Sequence, residues 1–295
     1  MSLCDAHCHF LSSGLFTALG AEAGVADGAA AALPKTLGWD APGDDAALAG
    51  RWREELNRHD VARAMLIASI PGDEASVAAA VRAEPGRFVG AFMFNPAAGD
   101  AGARLEAAFA DGLRTVCLFP ALHRYRLDEP FVDAVFAAAA RHRRVVFVHC
   151  GVLSVGFRKK LSLPSRFDLR LGDPLAVAAL AVRHPEATVV IPHFGAGFFR
   201  EALMAVDQAP NILLDTSSSN GWMKFHPGLT MAEVFARAID CAGPHRLLFG
   251  TDSSFFPRGW QRGVFDMQKA ALAALGAGAD VQAAIFGGNF QRIFA

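Results

Sequence analysis

Short apolar runs stopped by proline or glycine alternate along this chain with stretches whose apolar residues fall three and four apart. Unbroken runs of this length indicate strands, and the three-to-four spacing indicates helices that bury one face. The runs are Leu3–His9, Arg63–Ile70, Phe88–Asn95, Thr115–Phe119, Val145–His149, Val189–His193, Ile212–Thr216 and Leu247–Asp252. Helices are predicted over Asp45–His59, Asp73–Ala83, Asp100–Ala110, Pro130–His142, from Asp173-Pro174 onward, Phe198–Val206, Met231–Cys241 and most of Val264–Phe294. Asp173 has the character of an N-cap, with Pro174 at the first helical position.

Strands that are apolar throughout are buried on both faces, which is the mark of an all-parallel sheet. Eight strand–helix units in a chain of 295 residues predict an α/β fold, a closed (β/α)8 TIM barrel forming one domain over 1–295. A doubly wound open sheet is the alternative, but the first strand is followed by no Gly-x-Gly-x-x-Gly turn. Residues 11–43 are rich in Gly, Ala, Ser and Pro with little periodicity, so the stretch 11–50 is expected to be a long connection and a lid.

Composition narrows the setting. More than half of the residues are apolar (53%) and the net charge is −1, so a broad basic field for nucleic acid is missing. Five cysteines without a Cys-x-x-Cys do not form a disulfide framework, which fits the cytoplasm. No basic leader with an apolar core opens the sequence, and no run reaches the ~18 apolar residues of a membrane helix. The expected partner is a small-molecule substrate, with neither nucleic acid nor membrane.

The polar residues on these strands carry the chemistry. His7 and His9 stand two apart on the first strand, so alternation turns them to one side with Cα atoms roughly 6.6 Å apart. His149, His193 and Asp252 end three later strands, and a barrel of this type works at its C-terminal strand ends. So many ionisable groups in a dry mouth would be costly alone. A bound divalent ion resolves that cost, and imidazole with carboxylate suits zinc or another borderline metal.

Asp-x-His-x-His, the two later strand-end histidines and the final aspartate resemble the amidohydrolase superfamily. The likeness is closest to the amidohydrolase-related branch that includes aminocarboxymuconate semialdehyde decarboxylase and 2-pyrone-4,6-dicarboxylate lactonase. It extends to Asp173-Pro174-Leu175, Ile191-Pro192-His193-Phe194-Gly195, Asn211 to Ser217, Arg246 to Asp252 and Gly288 to Phe294. The resemblance implies His7, His9, His149 and Asp252 as ligands of one metal ion, zinc foremost. Asp252 would act as general acid/base, and His193 would orient water or substrate or serve as a further ligand. Two-metal relatives carry a lysine at the end of strand 4; here that strand ends Cys117-Leu118-Phe119-Pro120, which points to one metal.

The implied activity is hydrolysis of a small, carboxylated cyclic ester or amide by a metal-activated water. Non-oxidative decarboxylation and a non-catalytic binding barrel are the competing readings, and a homodimer is expected by analogy. Asp5, on the same side as His7 by alternation, is read as a partner of a ligand histidine or as structural. Cys8 and Cys150 are turned away from the metal. Substrate contacts are expected from His123, Tyr125 and Arg258, with further candidates in Ser217, Ser218 and Ser219 and the loop cations Arg158, Lys159, Lys160, Arg166 and Arg170.

Overall fold

A computed structural model describes residues 2–25, 27–152, 156–164, 167–217 and 220–295; Arg166, Ser218 and Ser219 lie outside the described residues. Eight parallel strands follow one another in sheet order exactly as in sequence: β1 (Leu3–Phe10), β2 (Val61–Ala68), β3 (Phe88–Phe94), β4 (Thr115–Leu118), β5 (Val145–Val148), β6 (Thr188–Ile191), β7 (Ile212–Asp215) and β8 (Leu247–Leu248). Helices connect them, and the (β/α)8 expectation holds. Asp173 caps its helix through the amide of Leu175 (2.9 Å), with Pro174 in the first turn as the sequence indicated.

Alternation divides the strand residues between two cores. Met65, Ile67, Val89, Ala91, Phe147, Val190 and Leu213 fill the barrel interior. Leu66, Phe92, Val146, Val189 and Leu214 pack outward beneath the helices. Each large side chain buried this way contributes roughly 1.5–3 kcal/mol over exposure.

β1 breaks this alternation. Cys4 and Ala6 belong to the interior and Cys8 and Phe10 to the outer core, with a register shift between Asp5 and Cys8. An extra residue in a strand reverses the facing of everything after it. His7 and His9 therefore face inward, whereas Asp5 does not share their side as simple alternation predicts. Asp5 instead accepts hydrogen bonds from the His7 amide (2.9 Å), the Thr251 amide (3.1 Å) and the Trp260 indole (2.7 Å). It fixes backbone on either side of the β1–β8 contact and touches no imidazole.

β8 is shorter than the predicted Leu247–Asp252: the Phe249 amide donates to the Ile285 carbonyl (3.2 Å), and Asp252 turns left-handed at φ 59. The barrel is nonetheless closed. Ala6 donates to the Phe249 carbonyl (2.8 Å), Asp252 to that of His7 (2.9 Å) and His9 to that of Ser253 (2.7 Å). Gly250 allows this approach, since a Cβ there would come within 2.8 Å of His7 Cβ and 2.9 Å of Ser217 Cβ.

Residues 11–50 are more structured than their weak periodicity suggests. They form α1 (Ser13–Glu22), α2 (Ala29–Leu37) and the first part of α3 (Asp45–Arg58). Ser12 caps α1 through the Leu15 amide, and Gly20 lets α1 cross α2, because a Cβ there would land on Ala29. α1 has almost no hydrophobic contrast between its faces, and Pro34 lies inside α2, where the sequence pattern argues against a helix. Leu15, Phe16 and Leu19 of this hairpin pack with Leu33 and Leu37 in a satellite cluster, and Trp39 stacks on Phe255 with centroids 4.2 Å apart. Among the described residues no helix is long and apolar enough to cross a membrane.

Candidate metal centre

All five residues singled out at the strand ends meet at one mouth of the barrel. Two overlapping groups have donor atoms within 4.8 Å of one another: His7, His9 and Asp252, and His7, His149 and His193. His7 is common to both and fully buried. Its ring centroid lies 5.2 Å from that of His9, 5.4 Å from His149 and 4.9 Å from His193. Both His193 and Asp252 have left-handed backbone, at φ 56 and φ 59. Such conformations are uncommon for any residue but glycine, though less so for Asp and His, and they concentrate at functional sites.

Hydrogen bonds decide which ring nitrogens face the cavity. Asp215 Oδ2 lies 2.6 Å from His7 Nδ1, and a carboxylate accepts, so Nδ1 carries the hydrogen and Nε2 the lone pair. Ser69 gives its own hydrogen to the Ile67 carbonyl (2.9 Å), so its Oγ accepts from His9 Nδ1 at 2.8 Å. His193 Nδ1 faces the Ser217 carbonyl at 3.2 Å and the Ser217 hydroxyl at 2.9 Å, which again places a hydrogen on Nδ1. His149 differs: its ring lies flat on Phe119 (3.9 Å, 17°) and its buried Nδ1 has no partner among the described residues.

The electrostatics follow the same division. Burial opposes charge on His7, but the Asp215 charge and hydrogen bond outweigh it and the pKa is raised. Burial, reinforced by the neighbouring imidazoles, holds His149 well below the ordinary histidine value; burial and the His7 charge also lower His193. Burial pushes the Asp252 carboxyl up, yet the His9 hydrogen bond and the charges of His9, His7 and His193 together bring it below the usual range.

The sequence matches the amidohydrolase family over residues 4–295. The chain belongs to that family. As a member it is a metal-dependent enzyme, and the alternative of a non-catalytic barrel falls away. Solved structures share the fold at low identity. A 5-carboxyvanillate decarboxylase from Sphingomonas paucimobilis is 18% identical with a TM-score of 0.66, over 99% of this chain and 98% of the other. A candidate 2-pyrone-4,6-dicarboxylic acid hydrolase from Pseudomonas putida is 19% identical with a TM-score of 0.64, over 99% and 97%. An amidohydrolase from Burkholderia multivorans with bound zinc is 14% identical with a TM-score of 0.65, over 100% and 99%. No curated protein gives a significant sequence match.

The donor set of this amidohydrolase fits a divalent cation. His7 Nε2 is buried without a hydrogen-bond partner among the described residues. His9 Nε2, whose Nδ1 already carries its hydrogen, stands 3.1 Å from Asp252 Oδ1, and His7 Nε2 stands 3.8 Å from the same oxygen. Lone pairs aimed at a carboxylate repel unless a cation or an added proton lies between them. Neutral imidazole and ionised carboxylate are also the forms that bind metal.

A cavity of about 790 Å³ opens above these residues, with His9, His149, His193 and Asp252 in its floor. His123 and Arg258 line it. Tyr125 does not: it is buried in the outer core, with its ring edge-on to Phe131 at 6.0 Å. The reason is local, because Arg124 turns left-handed at φ 60 and carries the chain away from the mouth. Ser217 is also fully buried and committed to His7 and His193, which leaves it no access to substrate. Of the loop cations, Arg158 and Lys160 line the cavity, whereas Arg170 pairs with Asp168 at 2.7 Å. Cys8 lies in the outer core, as does Cys150, which unlike Cys8 also lines the cavity beside His149. Asp215 and Ser69 are the functional side chains that the sequence alone did not single out. Asp215 carried a usable signal, as a lone acid ending the apolar run Ile212-Leu213-Leu214.

Proposed function

We propose that this amidohydrolase hydrolyses a carboxylated cyclic ester or amide, using one divalent metal ion, zinc foremost, held by His7, His9, His149 and Asp252. The observation that carries this reading is the position of Asp252. Its carboxylate is kept ionised at the cavity floor, within reach of two imidazole nitrogens whose other ring positions are already tied down. When bound, the ion supplies Lewis-acid polarisation of the scissile carbonyl and acidifies water. Asp252 accepts the proton of the attacking water and returns it to the departing oxygen or nitrogen. His193, with Nδ1 anchored on Ser217, presents the Nε2 lone pair to the cavity, where it accepts a hydrogen bond from the attacking water and orients it. His123 and Arg258 receive the substrate's outer groups from the wall. A single ion is favoured because β4 offers Phe119 at its end, stacked on His149 where two-metal relatives carry lysine.

Decarboxylation is the second reading. It is favoured by the flat aromatic surface of Phe119 and Trp222 along the cavity and by the fold shared with the carboxyvanillate enzyme. The two chemistries part at the product. Lactones, cyclic amides and carboxylated aromatics are supplied to zinc-loaded and manganese-loaded protein while acid release and carbon dioxide are both followed. Acid release without carbon dioxide is the expected result, and carbon dioxide without hydrolysis overturns it.

A further inference from the structure

The cavity is much larger than its catalytic floor requires, and the excess is apolar. At about 790 Å³ it stands in the upper part of the range for small-molecule sites. Leu11, Leu15, Leu19, Trp39, Phe157 and Phe255 line it on one side. The same six belong to the satellite cluster beneath α1 and α2, so the inner face of that cluster is cavity wall. Leu11, Leu15 and Leu19 are buried within it, whereas Trp39, Phe157 and Phe255 are half-buried and leave apolar surface toward the cavity for an apolar ligand to cover.

Charge is placed at a different level. The floor residues end strands, whereas Lys160 and Lys224 sit on the segments that follow β5 and β7, farther along the chain from the barrel. Both line the cavity, and among the described residues neither is in an ion pair. Arg158 is already engaged, to Glu22 of α1 at 2.9 Å and to the Pro164 carbonyl at 2.9 Å. That pair ties the hairpin to the segment after β5 and holds the apolar wall over the floor.

We propose that the substrate is an elongated amphipathic acid: a reactive carbonyl at the floor, an apolar acyl or aryl body longer than one ring against the hairpin wall, and an anionic end at Lys160 and Lys224. This rests on the hydrolase reading for the identity of the reactive group but not for the apolar body. Every added methylene that enters the wall then strengthens binding about three- to fourfold, from roughly 0.8 kcal/mol per buried CH₂.

The test measures binding of butanoate, hexanoate, octanoate, decanoate and dodecanoate to the zinc-loaded protein by calorimetry. Affinity is expected to climb by about that factor per methylene until the cavity is filled. In Leu19→Gln and, as a milder change, Leu19→Ala, the climb should flatten while butanoate binding stays the same. Octanedioate and decanedioate should bind more tightly than the matching monoacids, and Lys160→Gln with Lys224→Gln should remove that gain alone. A flat series in wild type, or no binding by any of these acids, overturns the proposal. Because no turnover is read, a rising series supports the apolar body whether or not the protein hydrolyses lactones. A flat series in protein that opens short lactones would count against the apolar body only.

Discussion

Asp215 accepts the Nδ1 hydrogen of His7 at 2.6 Å, joining β7 to β1 through a contact buried from solvent at both ends. Strand 7 gives no candidate ligand of its own. It nevertheless determines which nitrogen of His7 faces the cavity, and Ser217, two residues on, touches both His7 (3.1 Å) and His193 (2.9 Å). Partners of this kind are worth about 10–100-fold in metal affinity. Asp215→Asn is therefore expected to weaken zinc binding by about that factor, read by competition with a chelating dye. In nitrogen-15 spectra of zinc-loaded wild type, His7 Nδ1 should appear protonated. An unprotonated Nδ1, or an unchanged affinity in the variant, would sink the assignment.

Metal content gives a second prediction. Purified protein supplied with zinc or manganese should hold one equivalent, and His149→Ala should hold much less. Ion in hundredfold excess over its dissociation constant should stabilise the fold by about 2.7 kcal/mol, seen as a rise in Tm that a chelator reverses. Two tightly held equivalents would contradict the reading of Phe119 as the end of a one-metal strand.

His123 predicts an acid-side loss of stability. Burial, offset in part by a backbone hydrogen bond, pushes its pKa from 6.5 down to about 4. The unfolded chain then takes up a proton that the folded protein refuses. The contribution is fully present above pH 6.5 and is lost as pH falls toward 4. At roughly 1.36 kcal/mol per unit it amounts to about 3 kcal/mol at most. Urea denaturation of wild type and His123→Phe at a series of pH values should show a shallower acid limb in the variant. Parallel limbs would remove His123 from the account.

The α1–α2 hairpin depends on a close crossing. Gly20→Ala should destabilise by about 1–3 kcal/mol, because the new methyl meets Ala29 and a packed core cannot absorb it cheaply. Adding Ala29→Gly should recover most of the lost Tm. A single variant that melts with wild type would mean that α1 and α2 are not held as tightly as described.

The eight strands were legible because a strand buried on both faces writes an unbroken apolar run, and the five site residues because they interrupt such runs at one end. Other features left weaker traces. The reversal at Ala6 and His7 comes from one residue more in β1 than its partner needs, and no side-chain pattern announces that. α1 shows almost no contrast between its faces and α2 carries Pro34 in its interior, so neither read as a helix from the sequence. Tyr125 read as a mouth residue because it follows β4 closely, yet a left-handed Arg124 redirects the chain into the outer core. Several phrases that carried the family resemblance turn out to hold scaffold. Asn211 donates to the carbonyls of Ala181, His184 and Ala187, and Asn289 to that of Leu247.

The closure between β8 and β1 has a consequence for the site. Three backbone bonds made by Ala6, His9 and Asp252 zip the barrel's first strand to its last. The metal ion proposed for His7, His9 and Asp252 would join those same two strands side chain to side chain. The place where the cylinder is stitched shut and the place where it works are then one and the same. A substitution at His7, His9 or Asp252 would then touch the closure of the barrel as well as its site.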